Sequence, residues 1–421
     1  MKKILLSFTL GLLTFMLVAC NQNDLDDNEF VFATWAAGTE LAEFNEIVEK
    51  VNEEANGEYI IKTLSIPSDY YIKLSSKIAA NNSPDFFWLT QELISKYADL
   101  GAVADITEQF NNSEALTPDM YYEGVIDTAY YNDSYWGLPW IANPMMVYYN
   151  KDLFDEADIA YPSTTDDWTW EEFIEIARKF KGMTTSDGQD IFGYIVDGWP
   201  NIETFIWSGG GDIIDDNNNI LLDSDESLAG LDNLYTILSE GLTPGYADIA
   251  SLGSNNVWFE KQRVAMYMGG IQDNFEYKIA AMDESEQFEL GYAPMPVSAD
   301  GGAWSFDWTA STMLSIGNQD NDLAYKALEA MTLAFFEWKI APPIKDSIDN
   351  VKLIDPLKED ALETISYTLE YARSANYTPD WADINDMLWY DLYVQMLNDT
   401  NFDYRKAMKE IADEARDIVG D

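Results

Sequence analysis

The sequence predicts an α/β protein in which a doubly wound, mainly parallel sheet carries helices on both faces. Strands and amphipathic helices alternate between residues 30 and 90, which is the pattern of such a sheet. The segment PDFFWLT (84–90) is continuously apolar, as expected for a strand that is buried on both faces. The chain has 421 residues, too many for one ordinary core, so two domains are predicted.

The first strand is predicted at FVFATW (30–35). A helix is predicted after it, because apolar residues recur at helical spacing from Leu41 to Val51 and Gly57 stands at the end. The next predicted elements are a strand at 58–66, a helix at 70–80 and a strand at 84–90.

The segment WGLPWIANPMMVYYN (136–150) resembles a strand but contains Pro139 and Pro144. Central strands tolerate proline poorly. We therefore expect an extended crossover between the two domains here.

Beyond the crossover, Thr169 and Glu172 predict a capping box at the start of a helix, and Gly182 predicts its end. The later predicted elements are strands at 264–270 and 290–297, followed by mostly helical structure after residue 320.

The composition excludes several classes of function. Acidic residues number 75 against 24 basic ones, which gives a net charge of −51. Nucleic acid repels such a polyanion, so no nucleic-acid partner is expected. The chain has no histidine, the usual partner of a catalytic nucleophile and the commonest metal ligand. We therefore expect neither a triad hydrolase nor a zinc enzyme, and no metal or cofactor is predicted.

The amino terminus predicts a secretory signal at residues 1–19. Lys2 and Lys3 precede an apolar run, and the order Leu17-Val18-Ala19-Cys20 resembles the lipobox of bacterial lipoproteins. Cys20 is the only cysteine, so it has no partner within the chain for a disulfide. We therefore expect Cys20 to carry a lipid and residues 20–29 to form a tether, which anchors the protein to the outer face of the cytoplasmic membrane. A plain signal peptide with a chance cysteine is the alternative.

Several segments together resemble the extracellular solute-binding proteins of sugar ABC transporters, the group that includes maltose-binding protein. They occur in the order that this family shows and span the predicted mature chain. The segments are PDFFWLT (84–90), LISKYADLGAVADIT (93–107), YWGLPWIANPMMVYYNKDLF (135–154), TWEEF (169–173), WSGGGD (207–212), FEKQRVAMYMGG (259–270) and GYAPMPVSADGGAWSFDWTAS (291–311).

The resemblance implies a type II fold of two α/β lobes that close on a ligand bound between them. It implies a carbohydrate ligand, delivery to the membrane subunits of an ABC importer, and no catalysis. A monomer is expected. The predicted boundaries are 30–141 plus 297–345 for lobe 1, and 142–296 plus 346–421 for lobe 2.

The candidate ligand contacts combine this resemblance with sugar chemistry. Aromatic rings stack on the apolar faces of sugars, and polar side chains bond the hydroxyls. Residues just after parallel strands are favoured, because the carboxyl ends of the strands face the cleft. The predicted contacts are Trp35, Glu40, Thr90, Gln91, Trp140, Asn143, Trp199, Gln272, Asp273, Trp304, Asp307, Trp308 and Trp381. For each tryptophan, a place in the hydrophobic core is the alternative.

One position departs from the family pattern. After AMYMGG (265–270), relatives commonly carry a tryptophan two places on, where this chain has Gln272. The change removes an expected stacking ring, so a malto-oligosaccharide ligand is not carried over from the family. Gln272 and Asp273 are expected to bond the ligand instead.

Two other functions are compatible with the sequence. A secreted glycosidase would use two carboxylates, and a chain so rich in acids offers many pairs, such as Asp166 and Asp167. A sensory or adhesion lipoprotein would keep the fold but bind another solute. An enzyme would cleave a glycan that a binding protein only holds.

The lipid anchor predicts that Cys20→Ser abolishes incorporation of a radiolabelled fatty acid and moves the protein from the membrane fraction to the medium or periplasm. The reason is that a serine cannot receive the thioether-linked lipid. Ser7→Ala, a change within the apolar run, serves as the control. A Cys20→Ser protein that still incorporates the fatty acid would contradict the prediction.

Overall fold

The computed structural model describes residues 26–165, 168–196, 202–215 and 217–420. The strands in these ranges are β1 (Glu29–Thr34), β2 (Ile60–Ser65), β3 (Phe86–Thr90), β4 (Tyr130–Tyr131), β5 (Ser134–Tyr135), β6 (Gly137–Asn150), β7 (Phe192–Tyr194), β8 (Val264–Gly270), β9 (Leu290–Ala293), β10 (Ser305–Leu314) and β11 (Ala372–Arg373).

The helices surround one large sheet. In the first two thirds of the chain they are α1 (Gly38–Glu54), α2 (Tyr70–Ala79), α3 (Gln91–Asp99), α4 (Thr107–Asn112), α5 (Glu123–Ile126), α6 (Lys151–Glu156), α7 (Trp170–Lys179), α8 (Ile202–Ser208), α9 (Asp225–Ser239), α10 (Tyr246–Ile249), α11 (Asn255–Glu260) and α12 (Phe275–Ala280). The remaining helices are α13 (Asp322–Phe335), α14 (Asn350–Ile354), α15 (Leu362–Glu370), α16 (Trp381–Asp386), α17 (Val394–Asn398) and α18 (Tyr404–Val419).

The predicted order of strands and helices is confirmed over most of the chain. The strands before residue 90 and those at 264–270 and 290–293 lie where the pattern placed them. Thr169 and Glu172 form the predicted capping box at the start of α7. The segment after residue 320 is mostly helical, as predicted, and contains the two-residue strand β11.

The sheet order is β2-β1-β3-β10-β6-β8-β7, with β9 also paired to β6 and β11 to β10. The pairs β1–β2, β1–β3 and β7–β8 are parallel. Strand β10 runs antiparallel to both β3 and β6, and β6 runs antiparallel to β8 and β9. The two long antiparallel strands in the middle therefore join two parallel halves.

Strands β6 and β10 form a two-stranded ribbon, which we call the hinge ribbon. All fourteen residues of β6 are buried. Its first half pairs with β10, and from Met145 onward it pairs with β8. Pro139 lies beside a register shift in the ladder, and Pro144 lies where β6 changes partner. Both prolines thus occupy positions where regular ladder hydrogen bonds are interrupted, which explains their place in a strand.

The lobe boundaries remain a proposal, and the structure suggests one change to them. The segment before β10 packs on the second half of the molecule, because the Ala299 N–H donates to the Ser208 carbonyl and Asp300 adjoins Gly210. We therefore propose that the chain returns to lobe 1 within β10, after residue 304, rather than at residue 297.

The core of the first half is aromatic. The rings of Trp88 and Trp140 are stacked with centroids 4.9 Å apart, and Phe335 of α13 contacts both. Trp338 stacks on Trp140 at 5.8 Å. Trp88 and Trp140 are fully buried, so this stack fixes β3, β6 and α13 against one another.

One ion pair in the second half is almost completely buried. The Lys358 Nζ lies 2.9 Å from Glu276 Oε2 and also donates to the Ile271 carbonyl at 3.0 Å. Each side chain of the pair is 4% exposed. Loss of one partner would leave an uncompensated charge in the interior.

Lys358→Met is therefore expected to lower the free energy of unfolding by about 3–5 kcal/mol in urea denaturation. Lys352→Met is the matched control: its pair with Asp349 is exposed, and its loss should cost less than about 1 kcal/mol. The double variant Lys358→Met/Glu276→Leu should recover most of the loss, since it removes both charges. Equal effects of the two lysine substitutions would rule out this account.

Candidate functional site

The hinge ribbon presents two different faces, because successive side chains of a strand point to opposite sides. The Thr309 hydroxyl lies 2.9 Å from that of Thr128, so Thr309 and Asp307 share the side on which Thr128 lies. Trp308 points to the other side, where Asn143 stands directly opposite it in the ladder. The predicted residues of the ribbon are thus divided between two sites.

We call the side of Asn143 and Trp308 the amide face. Asn143 is fully buried, and its Oδ1 accepts a hydrogen bond from the Gln272 N–H at 3.2 Å. The two side-chain amides are also bonded to each other. Gln272 is exposed, whereas Trp308 is half-buried and contacts the hydrophobic clusters of both halves. The amide face therefore offers an aromatic ring beside paired donors and acceptors.

Asp273 lies next to Gln272 in the turn that follows β8. Its Oδ2 is buried without a hydrogen-bond partner in the described structure, and burial raises the pKa of this carboxyl to about 6. The adjacent Lys278 opposes that rise. Asp273 thus stands beside the amide face as a polar group with unused bonding capacity.

The opposite side of the ribbon borders a cavity of about 800 Å³, which we call the tyrosine cavity. Residues from both halves of the molecule line it. They are Gln91, Ile94, Ser95, Glu123, Gly124, Asp127, Thr128, Tyr130, Tyr131, Asp212, Ile214, Asp300, Trp304, Glu370, Tyr371, Ala372, Arg373, Ser374, Ala375, Asn376 and Tyr377.

Gln91 links the two halves at the tyrosine cavity. Its side chain is 1% exposed, and its Nε2 donates to the Asp307 carbonyl at 3.0 Å and to the Tyr377 hydroxyl at 2.8 Å. Its Oε1 accepts from the Thr309 N–H. The amide of Gln91 therefore continues the ladder beyond the end of β3 and is held in one orientation.

Trp304, another of the predicted contacts, lines the same cavity as Gln91. Its Nε1 donates to both carboxylate oxygens of Asp300 at 2.9 Å. The Arg373 guanidinium lies 5.1 Å from the Trp304 ring and 4.8 Å from the Trp207 ring, and it forms an ion pair with Asp212 at 2.7 Å. Arg373 is thus already occupied by protein partners.

Other predicted contacts lie elsewhere. Trp140 is 2% exposed and lies in the core, where its ring packs against those of Trp88 and Trp338. Trp381 is 4% exposed and its ring meets that of Tyr377 edge-on at 4.9 Å, so it supports the cavity wall rather than lining it. Thr90 is buried and donates to Glu92, whose pKa is raised by burial.

Trp35 and Glu40 lie on lobe 1 after the end of β1. Trp35 is half-buried with its ring 4.7 Å from that of Trp88. Glu40 pairs with Lys339, whose Nζ stands 4.0 Å above the Trp338 ring. Neither residue lines the tyrosine cavity. Trp199 and Cys20 lie outside the described residues.

The described ranges lack two kinds of feature. No helix there combines the length and apolar composition needed to cross a bilayer. No group of three or more Asp, Glu or Cys side chains within those ranges is arranged to hold a metal ion.

Comparison with known sequences decides the family. The sequence profile of the bacterial extracellular solute-binding proteins matches residues 35–334. The chain belongs to this family. A putative binding protein of Brucella abortus is 22% identical over 390 residues, which cover 90% of each chain.

Solved structures of the same fold agree with the described architecture. The sugar-binding protein MalE from Xanthomonas citri superposes with a TM-score of 0.75 at 19% identity, covering 93% of this chain and 97% of the other. An ABC substrate-binding protein from Listeria monocytogenes in complex with cycloalternan gives 0.71 at 21% identity, covering 94% and 100%. The predicted two-lobed α/β solute-binding fold is therefore confirmed.

Sequence reasoning missed the tyrosines of the cavity. Tyr130 and Tyr131 lie in a short hairpin, and Tyr371 and Tyr377 flank β11. None of these residues follows a strand of the parallel halves, so the strand-end rule gave no signal for them. The two pairs of tyrosines come close together because α5 packs against β11, where Gly124 leaves room for the Ala372 carbonyl.

Asp307 is the most unusual group of the ribbon. It is completely buried, and burial raises its pKa well above the usual range, although the backbone N–H of Asn143 opposes that rise. Above pH about 4 an unfolded chain loses this proton, whereas the folded chain keeps it. The native state is therefore destabilised as the pH rises, with a slope of up to about 1.4 kcal/mol per pH unit.

Asp307→Asn is expected to raise the free energy of unfolding at pH 7–8 and to have little effect near pH 4. The gain grows with pH because asparagine has no proton to lose. Urea denaturation at pH 4.5, 6 and 8 measures it, with the exposed Asp283→Asn as the charge-matched control. A gain that is absent at pH 8, or that is matched by the control, would refute the buried neutral carboxyl.

Proposed function

We propose that the protein captures a neutral carbohydrate, an oligosaccharide, at the amide face and delivers it to an ABC importer. The observation that carries this proposal is the pairing of Asn143 and Gln272 beside the half-buried ring of Trp308. Amide groups bond hydroxyls as both donors and acceptors, and an indole ring stacks on the apolar face of a sugar.

The position of the amide face in the fold also supports it as the sugar site. In open α/β sheets, ligands bind beyond the carboxyl ends of parallel strands. Gln272 and Asp273 follow β8, Trp35 follows β1, and the segment after β7 contains Trp199. Of the strand ends in the parallel halves, only Gln91 after β3 belongs to the lining of the tyrosine cavity. The strand-end rule therefore favours the amide face for the sugar.

The relatives support a sugar as the ligand class. The similar structures include the sugar-binding protein MalE and a protein in complex with cycloalternan. Gln272 in place of an aromatic ring favours hydrogen bonding over stacking at that position. The ligand is bound and released without chemical change, because the protein acts by closing its lobes on it.

The lipid on Cys20 would hold this capture domain at the outer face of the cytoplasmic membrane, near the membrane subunits of the importer. The protein acts there as a monomer, since one chain supplies both lobes of the site. A glycosidase and a sensory lipoprotein are the alternatives. A glycosidase would cleave the glycan during the binding assay, whereas a binding protein would leave it intact.

Calorimetric titration of the domain from residue 26 onward with a panel of neutral oligosaccharides tests the proposal. At least one glycan should bind saturably and be recovered intact. Gln272→Ala should weaken its affinity about tenfold, the value of one to two hydrogen bonds. The exposed Gln287→Ala is the matched control and should leave the affinity unchanged.

Three results would overturn the proposal. Cleavage of the glycan would favour the glycosidase. Unchanged affinity in Gln272→Ala, with a large loss in Tyr371→Ala, would move the sugar to the tyrosine cavity. A folded protein that binds no glycan of a broad panel would favour a different solute.

A further inference from the structure

The tyrosine cavity lies on the side of the hinge ribbon that the proposed sugar site does not use. Thr309 contacts the cavity-lining Thr128, whereas Trp308 and Asn143 point away from it. Its volume of about 800 Å³ falls within the range of small-molecule sites. The cavity is therefore large enough for a ligand of its own.

Hydrogen bonds fix the wall of the cavity across both halves of the molecule. Gln91 from the first half bonds Tyr377 from the second. Asn376 donates to the Asp215 carbonyl at 2.8 Å, and Ser305 of β10 is bonded to Met145 of β6. A wall held in this way is pre-organised, which lowers the entropy cost of binding.

The charge of the lining is strongly unbalanced. Five carboxylates, those of Glu123, Asp127, Asp212, Asp300 and Glu370, face one guanidinium. That guanidinium, Arg373, is neutralised by Asp212 and lies between two indole rings. Glu123 and Glu370 have no cationic partner within the described ranges. A concave surface of one sign concentrates ions of the opposite sign.

Asp307 is not one of the lining residues. Its carboxyl is fully buried and burial raises its pKa well above the usual range, so it offers no charge for a ligand to balance. The carboxylates of the lining are therefore the groups that would attract a cation.

The aromatic lining suits the same ligand. Tyr130 is 44% exposed, and Tyr131 and Tyr371 are half-buried. Ammonium groups bind to the faces of such rings, and the effect is larger where the cation is partly desolvated. An anionic ligand would meet only like charges, since Arg373 is occupied.

We propose that the tyrosine cavity is a second binding site, which takes a small organic cation with one or more ammonium groups. The tyrosine rings hold the carbon skeleton of the ligand, and Glu123 and Glu370 hold its charge. The site is separate from the amide face, so the two ligands are bound on opposite sides of the same ribbon.

Calorimetric titration of the domain from residue 26 onward with putrescine and with choline, in 150 mM NaCl, tests this site. The salt screens attraction by the strongly negative overall charge, which is −51 for the full chain. One of the two probes should bind saturably at one site per chain. Glu123→Gln/Glu370→Gln should weaken that binding at least tenfold, as should Tyr371→Ala.

The charge-matched control is Glu46→Gln/Glu49→Gln, on the exposed face of α1, which should change the affinity less than twofold. If both double variants lost the same affinity for the probe, the binding would be due to general charge attraction, and the proposed site would be wrong. Absence of saturable binding to either probe would also overturn it. Gln272→Ala should leave binding of the cation intact, so failure of this site and failure of the sugar proposal are separate results.

Discussion

The antiparallel pairing of β6 with β10 is the constraint on which the rest of the structure depends. Each strand belongs to both halves of the molecule, and every residue of β6 is buried. The ladder switches from β10 to β8 at Met145, so the same strand completes the sheet on either side. Because the ribbon has only two faces, it also divides the space between the lobes into two compartments.

The two compartments differ in chemistry because the residues of the ribbon alternate. Asn143 and Trp308 present amides and an indole ring to one side. Asp307 and Thr309 present a neutral carboxyl and a hydroxyl to the other, where Gln91 and the tyrosine cavity lie. The amide face suits the hydroxyls of an uncharged sugar. The acidic, aromatic cavity suits a cation, and the two roles do not compete for residues.

The sequence predicted the fold more completely than it predicted the candidate site. Strand–helix alternation and the capping box at Thr169 depend on local chemistry, and both are confirmed. The proline-containing segment is a buried strand in the middle of the sheet, and its role as a crossover between two domains stays a prediction. The tryptophans were harder to place. Trp140 is a residue type that could stack on a sugar, but its packing against Trp88 and Trp338 in the core is visible only in three dimensions. Likewise, the four tyrosines of the cavity come from segments more than 230 residues apart in the chain.

The position of β10 in the chain has a consequence for biosynthesis. This strand lies between β3 and β6 in the sheet, yet more than 150 residues separate it from either in the sequence. Lobe 1 therefore lacks its central strand until residue 314 has been made, and closing so long a loop is slow. The topology that builds the hinge ribbon therefore makes completion of lobe 1 depend on contacts between residues far apart in the chain.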